Sequence, residues 1–467
     1  MAPEIRLDDL LNATRGRLLG ATTTTAFSGA SVDSRRITPG CCFVALAGER
    51  VDGHAFVADA FEAGATVALV SRPVERPPGS TAAIVQVGDP LRALQDVAAW
   101  WASRSPARVV GITGSTGKTI AKEMIADVLS RTLCVLRSEG NLNSESGLPM
   151  TLLRLGPEHD VAVLEMGMYT VGEIARLAEI ARPEVGVVMA VHPTHLLRAG
   201  SIERVAEGKS ELPRALPPDG LAVLNADDRH VAAMAAVTPA PVVTFGLGSA
   251  ADVQARDVET HGLAGTSFTI AAPWGTRRVT SATPGRHLVP HAVAAAAVGE
   301  RFGVSLDEVE AARATGSRAP HRMAIVRAAG LTIVDDTYNA SPVSVIAALD
   351  FLAETPLAVG RRRLAVLGDM LELGPDEEAA HRRVGERAAR AVDGLVAVGE
   401  RGRWIADAAR HAGLERVAEA ERVDDGVEAV WRTLAPGPGD MLLVKASRGI
   451  ELDRLVDALS SASVAGG

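Results

Sequence analysis

Lysine is close to absent from this chain. Only four of its 48 basic residues are Lys, namely Lys118, Lys122, Lys209 and Lys445, and the rest are Arg. Arg stays charged and planar, whereas a Lys amine can lose its proton and react, so each retained Lys is a candidate for chemistry that Arg cannot supply. Aromatic residues make up 3% of the chain, which leaves the cores to Ala, Val and Leu and offers no stacking platform for a nucleic acid. There is no basic run either, and the net charge of −9 serves solubility rather than binding to DNA, RNA or a membrane surface. The three cysteines, Cys41, Cys42 and Cys134, are odd in number and two are adjacent. That is neither a disulfide framework nor a zinc-site spacing. No apolar run approaches the roughly 20 residues of a membrane span, and the opening "MAPEIRLDDLLNATRG" lacks the basic and apolar blocks of a secretory signal. The expectation is a monomeric cytoplasmic protein with no nucleic-acid partner and no membrane span.

A hydrophobic content of 47% with 22% charged residues suits full globular cores, and the length suggests about three domains. Residues 1–105 carry "CCFVAL", "TVALVS" and "AAIVQVG" between amphipathic stretches and read as a small α/β domain. Over 106–315, apolar strands such as "ARVVGIT", "VAVLEMG", "EVGVVMAV", "LAVLNADD" and "PVVTFG" alternate with helices, the pattern of a parallel sheet covered on both faces. "TSFTIAAPWGTRRVTS" alternates about a turn and reads as a hairpin; "HAVAAAAVGERFG" reads as an Ala-rich helix. From 316 to 467 the strand–helix rhythm restarts with "LTIVDD", "RLAVLGD", "GLVAVGE" and "DMLLVKAS", a second open parallel sheet. The fold class is α/β in three domains.

"VVGITGSTGKTIAKEM" sets a strand before a Gly-rich turn and a helix after it. Backbone N–H groups of such a turn, with the helix N-terminus, make a nest for phosphate. Lys118 is placed to reach the terminal phosphates and Thr119 to ligate Mg²⁺. Five residues separate Gly111 from Gly117 where the common nucleotide loop has four, so the loop is a variant that binds ATP or GTP. Glu165 and His195 fall just past the carboxyl ends of strands, where open parallel sheets bind ligands. A carboxylate there suits Mg²⁺. Lys209 follows 14 residues after His195, on a helix.

"TGSTGKT", "NLNSESGLPMTLL", "EMGMYTVGEI", the His195–Lys209 pair and "VLNADD" together resemble the Mur ligase family of peptidoglycan synthesis. "DSRRITPGCCFVALAGERVDGHAFV", "DDTYNASPVSVIAAL", "VLGDMLELG" and "VKASRGIELDRLV" are similar to the branch that joins D-alanyl-D-alanine to UDP-N-acetylmuramoyl-tripeptide. The resemblance implies an N-terminal domain holding the UDP end of the substrate, a central P-loop ATPase domain and a Rossmann-like C-terminal domain. It implies that ATP phosphorylates the tripeptide carboxylate and that the dipeptide amine attacks the acyl phosphate. It implies two Mg²⁺ ions held by Thr119, Glu165, His195 and a CO₂-derived carbamate on Lys209, a modification that needs a neutral amine. Gly114, Ser115, Thr116, Gly117, Lys118, Arg322, Asp336 and Asn339 are implied to face the nucleotide. Ser34 and Arg35 are implied to touch the uridine nucleotide, Asn143 the muramoyl-peptide, and Lys445, Ser447 and Arg448 the peptide end. Scarce residues gather in these motifs: of five Asn, only Asn12 lies outside them, and of the Lys only Lys122 is left without a task.

The chain departs from the family at several positions. Thr116 stands where Asn is usual, Met168 and Tyr169 where Ala-Asn follows, and Ala190, Val191 and His192 where Asn-Ile-Gly precedes the metal His. Leu288 and His291 also replace Asn, and His291 is expected to stack on adenine in place of an amide. Two other readings compete: a related ligase with a different acceptor amine, and an inactive nucleotide-binding scaffold of cell-wall assembly. Lys209 argues against the scaffold, which has no use for a carbamate.

Overall fold

A parallel strand covered on both faces has no polar side to show, so it reads as an unbroken apolar run. Val161–Glu165 and Val185–Val188 obey that rule, with every residue buried. They lie in a nine-stranded sheet of the computed structural model, which describes residues 3–48, 51–193, 200–316, 321–328 and 330–462. From one edge the strands run Val135–Arg137, Val161–Glu165, Arg108–Thr113, Val185–Val188, Leu221–Asn225, Val242–Gly246 and Val253–Thr260, all parallel. Thr266–Ala272 and Gly275–Ser281 complete the sheet as the antiparallel hairpin read from the alternation. After Arg108–Thr113 the chain adds two strands on one side and then crosses to the other. Open sheets bind ligands at such a switch point, beyond the carboxyl ends of the strands.

Small side chains do the packing that aromatics do elsewhere. Helix Val289–Arg301 is buried from Ala292 to Gly299 and lies along helix Lys118–Leu129. A Cβ on Gly299 would sit 3.1 Å from Val128, so the two helices are already in close contact. The same apolar cluster runs on through Val345, Leu349 and Leu367 into the C-terminal sheet.

That sheet has six strands in the order Ala324–Ala328, Leu331–Asp335, Met441–Lys445, Arg363–Gly368, Gly394–Val398 and Val417–Ala420. Five are parallel; the edge strand Ala324–Ala328 is antiparallel and is not apparent from the sequence rhythm. Its residues are mostly half-buried, so "AIVRA" carries neither an apolar run nor a clean alternation. At the other end of the chain a five-stranded sheet holds Arg17–Leu18, Ala83–Gln86, Val67–Val70, Cys42–Val44 and Ala30–Ser31. Helix Pro90–Ala102, capped by the Asp89 carboxylate, ties this unit to the central one. Leu94 and Val97 join Leu148, Leu152 and Leu177 in one cluster, and Trp101 donates its indole N–H to the Leu155 carbonyl at 2.9 Å. Among the described residues no helix is long and apolar enough to cross a membrane.

One close approach in the C-terminal unit is a sharp test of this packing. Gly385 lies in helix Glu377–Ala391, where a Cβ would stand 2.3 Å from the Ile405 carbonyl oxygen. Gly385→Ala is expected to lower stability by about 1–3 kcal/mol through overpacking. A calorimetric melt checks it, and an unchanged or higher melting temperature would contradict the packing described.

Candidate functional site

The phosphate loop opens from the end of Arg108–Thr113, and helix Lys118–Leu129 closes it. Gly117 turns the chain with φ +82°, a left-handed conformation that side chains disfavour. The loop is strapped to the segment that follows strand Val185–Val188. The Ser115 N–H donates to the Ala190 carbonyl at 2.7 Å, its hydroxyl donates to the His192 carbonyl at 3.0 Å, and the His192 N–H donates back at 2.9 Å. Because this strap meets Ala190 and His192 through main-chain atoms, the side-chain departures there leave it intact. Asn225 and Asp228 hold the same segment through the Met189 carbonyl and the Val191 N–H.

Lys118 folds back on the loop and donates to the Gly114 carbonyl at 2.8 Å. Burial holds its pKa below the ordinary lysine value; Glu165 opposes that shift and Arg322 adds to it. The Thr119 hydroxyl donates to Glu165 Oε2 at 2.7 Å, and Asn143 Nδ2 donates to Glu165 Oε1 at 2.8 Å. Both carboxylate oxygens are thus aimed by neighbours, on a residue only 3% exposed. Ser138 fixes the main chain of the same residue, its hydroxyl accepting the Glu165 N–H at 3.2 Å. Hard oxygen donors of this kind fit Mg²⁺, which takes few protein ligands and leaves the rest to water and phosphate.

Arg322 arrives from 203 residues along the chain. Its Nη2 donates to the Thr119 hydroxyl at 2.7 Å, and its guanidinium lies 4.0 Å from the Tyr338 ring centroid. His321 and Met323, on either side, both adopt left-handed backbone, with φ +57° and +53°. Such residues cost about 1–3 kcal/mol each and persist where the surroundings over-determine them. Here Asp335 Oδ2 holds the His321 ring at 2.8 Å, and Asp336 Oδ1 accepts the Met323 N–H at 3.3 Å. Lys445, itself 2% exposed, bonds the other Asp336 oxygen at 2.5 Å and the Asn339 carbonyl at 2.8 Å. Asp336, Asn339 and Lys445 therefore form one brace behind Arg322.

Lys209 lies on helix Ile202–Arg214, capped by the Ser201 hydroxyl, and is 2% exposed. Among the described residues no carboxylate or hydrogen-bond acceptor meets its amine. Burial pushes its pKa well below the ordinary lysine value, and the charge of Lys118 pushes it further. A neutral amine in such a place is the form that reacts with CO₂. Met168 packs over the neighbouring Gly208, where a Cβ would stand 2.4 Å from the Met168 methyl. His195 lies outside the described residues.

The remaining candidates sit further out. Ser34 and Arg35 open a 3₁₀ turn after Asp33, and the Arg35 fork holds the Asp33 carboxyl down to about 2. The Ser447 hydroxyl accepts the Leu371 N–H at 2.9 Å, while Arg448 is exposed and paired with Asp453. His291 is 9% exposed and faces the loop: a Cβ on Gly117 would lie 2.4 Å from its Nε2. Among the described residues its buried Nδ1 has no well-formed hydrogen bond. Two residues that hold this site, Ser138 and Lys122, carry no motif that marks them in the sequence. Only the scarcity of Lys pointed toward Lys122.

Similarity to known proteins covers nearly the whole chain. The Mur ligase middle domain matches residues 112–299, the Mur ligase glutamate ligase domain 321–448 and the Mur ligase family catalytic domain 26–101. The UDP-N-acetylmuramoyl-tripeptide–D-alanyl-D-alanine ligase of Escherichia coli K12 is 38% identical over 460 residues, 97% of each chain. A crystal structure of MurF from Acinetobacter baumannii superposes with a TM-score of 0.86 at 30% identity, covering 98% of this chain and 99% of that one. MurF ligase from Thermotoga maritima, solved in complex with ADP, gives 0.80 at 26% identity, covering 94% and 98%.

Two histidine rings, His291 against the loop and His287 one turn before it, make stability depend on pH. Burial lowers the pKa of both His287 and His291 from 6.5 to about 4, and for His291 the charge of His287 adds to it. Between those values the unfolded chain binds protons that the folded chain does not. The neutral rings therefore contribute stability in full above about pH 6.5 and lose it as pH falls toward 4, at most about 3 kcal/mol each. His291→Gln is expected to flatten the decline of melting temperature over that window. Parallel curves for the variant and the wild type would refute this. Gly117→Ala, which meets both the left-handed φ and the His291 ring, is expected to abolish nucleotide binding measured by calorimetry.

Proposed function

This chain belongs to the Mur ligase family, and on that premise we propose that it joins D-alanyl-D-alanine to UDP-N-acetylmuramoyl-tripeptide at the expense of ATP, in peptidoglycan precursor synthesis. The observation that carries the reading is that resemblance end to end to ligases of this activity accompanies an assembled Lys118–Thr119–Glu165–Arg322 centre. The γ-phosphoryl group leaves ADP and bonds to the tripeptide carboxylate. The dipeptide amine then attacks the acyl carbon, loses a proton, forms the C–N bond and expels phosphate.

Each group has a part in this. The loop N–H groups and Lys118 bind the phosphates. Arg322, braced by Asp336, Asn339 and Lys445, puts a cation beside the transferring group, where charge stabilisation does most of the work. Thr119, Glu165, His195 and Lys209 as its carbamate would hold Mg²⁺, which supplies neutralisation between the γ-phosphate and the attacking carboxylate. Support for the carbamate is the buried amine of Lys209, which has no acceptor among the described residues. Ser34 and Arg35 serve the uridine end, Asn143 the muramoyl-peptide, Ser447 and Arg448 the peptide end, and His291 the nucleotide. The domains divide as 1–105, 106–315 and 316–467, and the enzyme works as a cytoplasmic monomer.

The test is ADP release with ATP, Mg²⁺ and UDP-N-acetylmuramoyl-tripeptide, with and without D-alanyl-D-alanine, the product being weighed by mass spectrometry. Turnover that requires both substrates, with a product heavier by the dipeptide less water, is expected. Product formed only with another amine would move the acceptor; no ADP with any amine would leave a scaffold. Lys209→Ala is expected to lower kcat at least about 100-fold, with partial recovery in short-chain carboxylic acids. Full activity of the unsupplemented variant would sink the carbamate.

A further inference from the structure

One lysine remains without a role. Lys122 lies one turn beyond Lys118 on the loop helix, yet its side chain is 1% exposed. A lysine this deep is held by what it bonds. Its amine donates to the Ser138 carbonyl at 2.6 Å and pairs with Glu123 Oε1 at 2.7 Å. Glu123 Oε2 in turn takes Arg137 Nη1 at 2.7 Å, and Arg137 also reaches Asp127 at 3.1 Å. The loop helix thus grips the last residue of the neighbouring strand Val135–Arg137 and the residue after it, Arg137 by its side chain and Ser138 by its carbonyl.

What Ser138 does next gives the grip its meaning. Its hydroxyl accepts the Glu165 N–H, and Asn143, five residues on, donates to the Glu165 carboxylate. One short segment therefore aims Glu165 at both ends, and Lys122 pins that segment to the helix that carries Thr119. Resting on the reading of Thr119 and Glu165 as the divalent-cation site, we infer that Lys122 is a positioning residue for that site. It sets the distance between the hydroxyl and the carboxylate through Ser138 and touches neither nucleotide nor metal. A cation in this place also balances Glu123, whose other carboxylate oxygen is taken by Arg137, while Asp127 is shared between Arg137 and the buried Arg313.

Removal of partners that orient a metal ligand typically weakens metal binding by about 10–100-fold. The experiment titrates Mg²⁺ into full-length protein with ADP and reads ADP affinity by calorimetry, with a parallel series in EDTA. Lys122→Met is expected to raise the Mg²⁺ needed for half-maximal tightening by about tenfold or more, while affinity in EDTA stays within about twofold. Ser138→Ala removes the link without burying an unpaired charge and is expected to shift the Mg²⁺ requirement in the same direction. The double variant should be no worse than the worse single one, as expected of two parts of one linkage. A lowered melting temperature with wild-type Mg²⁺ dependence in both single variants would make Lys122 structural only and overturn the inference. ADP binding indifferent to Mg²⁺ in the wild type would instead sink the reading of the cation site, and this inference with it.

Discussion

The hydrogen bond from the Thr119 hydroxyl to the Glu165 carboxylate, 2.7 Å long, is the contact on which the rest of the site depends. It joins the first turn of the loop helix to the end of an adjacent strand. Parallel pairing of Arg108–Thr113 with Val161–Glu165 sets both ends level, with Glu165 opposite Ile112. Register is strongly fixed where both faces of a sheet are buried, since a slip would turn every side chain over. Around that pair each unit adds one thing: the segment Ser138–Asn143 aims the carboxylate, the helix Ile202–Arg214 brings the buried amine of Lys209, and the C-terminal unit brings Arg322.

Arg322 shows how a fold keeps a strained feature. Two left-handed residues flank it, and a sequence with no glycine there would relax if left alone. The acids at the end of Leu331–Asp335 prevent this by bonding both neighbours, and Lys445 from the adjacent parallel strand balances their charge. Strand pairing in one sheet thereby sets the aim of a cation into another.

The sequence showed most where chemistry and geometry share a local signature. Strand, Gly-rich turn and GKT lie within a dozen residues, and buried parallel strands announce themselves as runs of Val and Leu. Glu165 was legible because strand ends are where open sheets place ligands. Other contacts were not legible, because they rest on pairings remote in sequence: Arg322 with Thr119, Lys445 with Asp336, Lys122 with Ser138. No local pattern records that Ser138 presents its hydroxyl to a backbone N–H. The edge strand Ala324–Ala328 escaped for a different reason, its half-exposed residues giving no period to read. Scarcity worked better than pattern for the lysines, since it flagged positions without saying what they face.

Scarcity also shapes the outside of the molecule. Lys122, Lys209 and Lys445 are buried and Lys118 is half-buried, so none of the four side-chain amines stands on the open surface. Guanidinium groups carry nearly all the positive charge that solvent meets. A reagent selective for side-chain amines, whether a cross-linker, a fluorophore ester or an immobilising resin, has no peripheral lysine to consume it. Apart from the α-amine of the backbone, the first amine such a reagent can meet is Lys118 at the phosphate loop, so general lysine chemistry reports on this protein's loop rather than its surface.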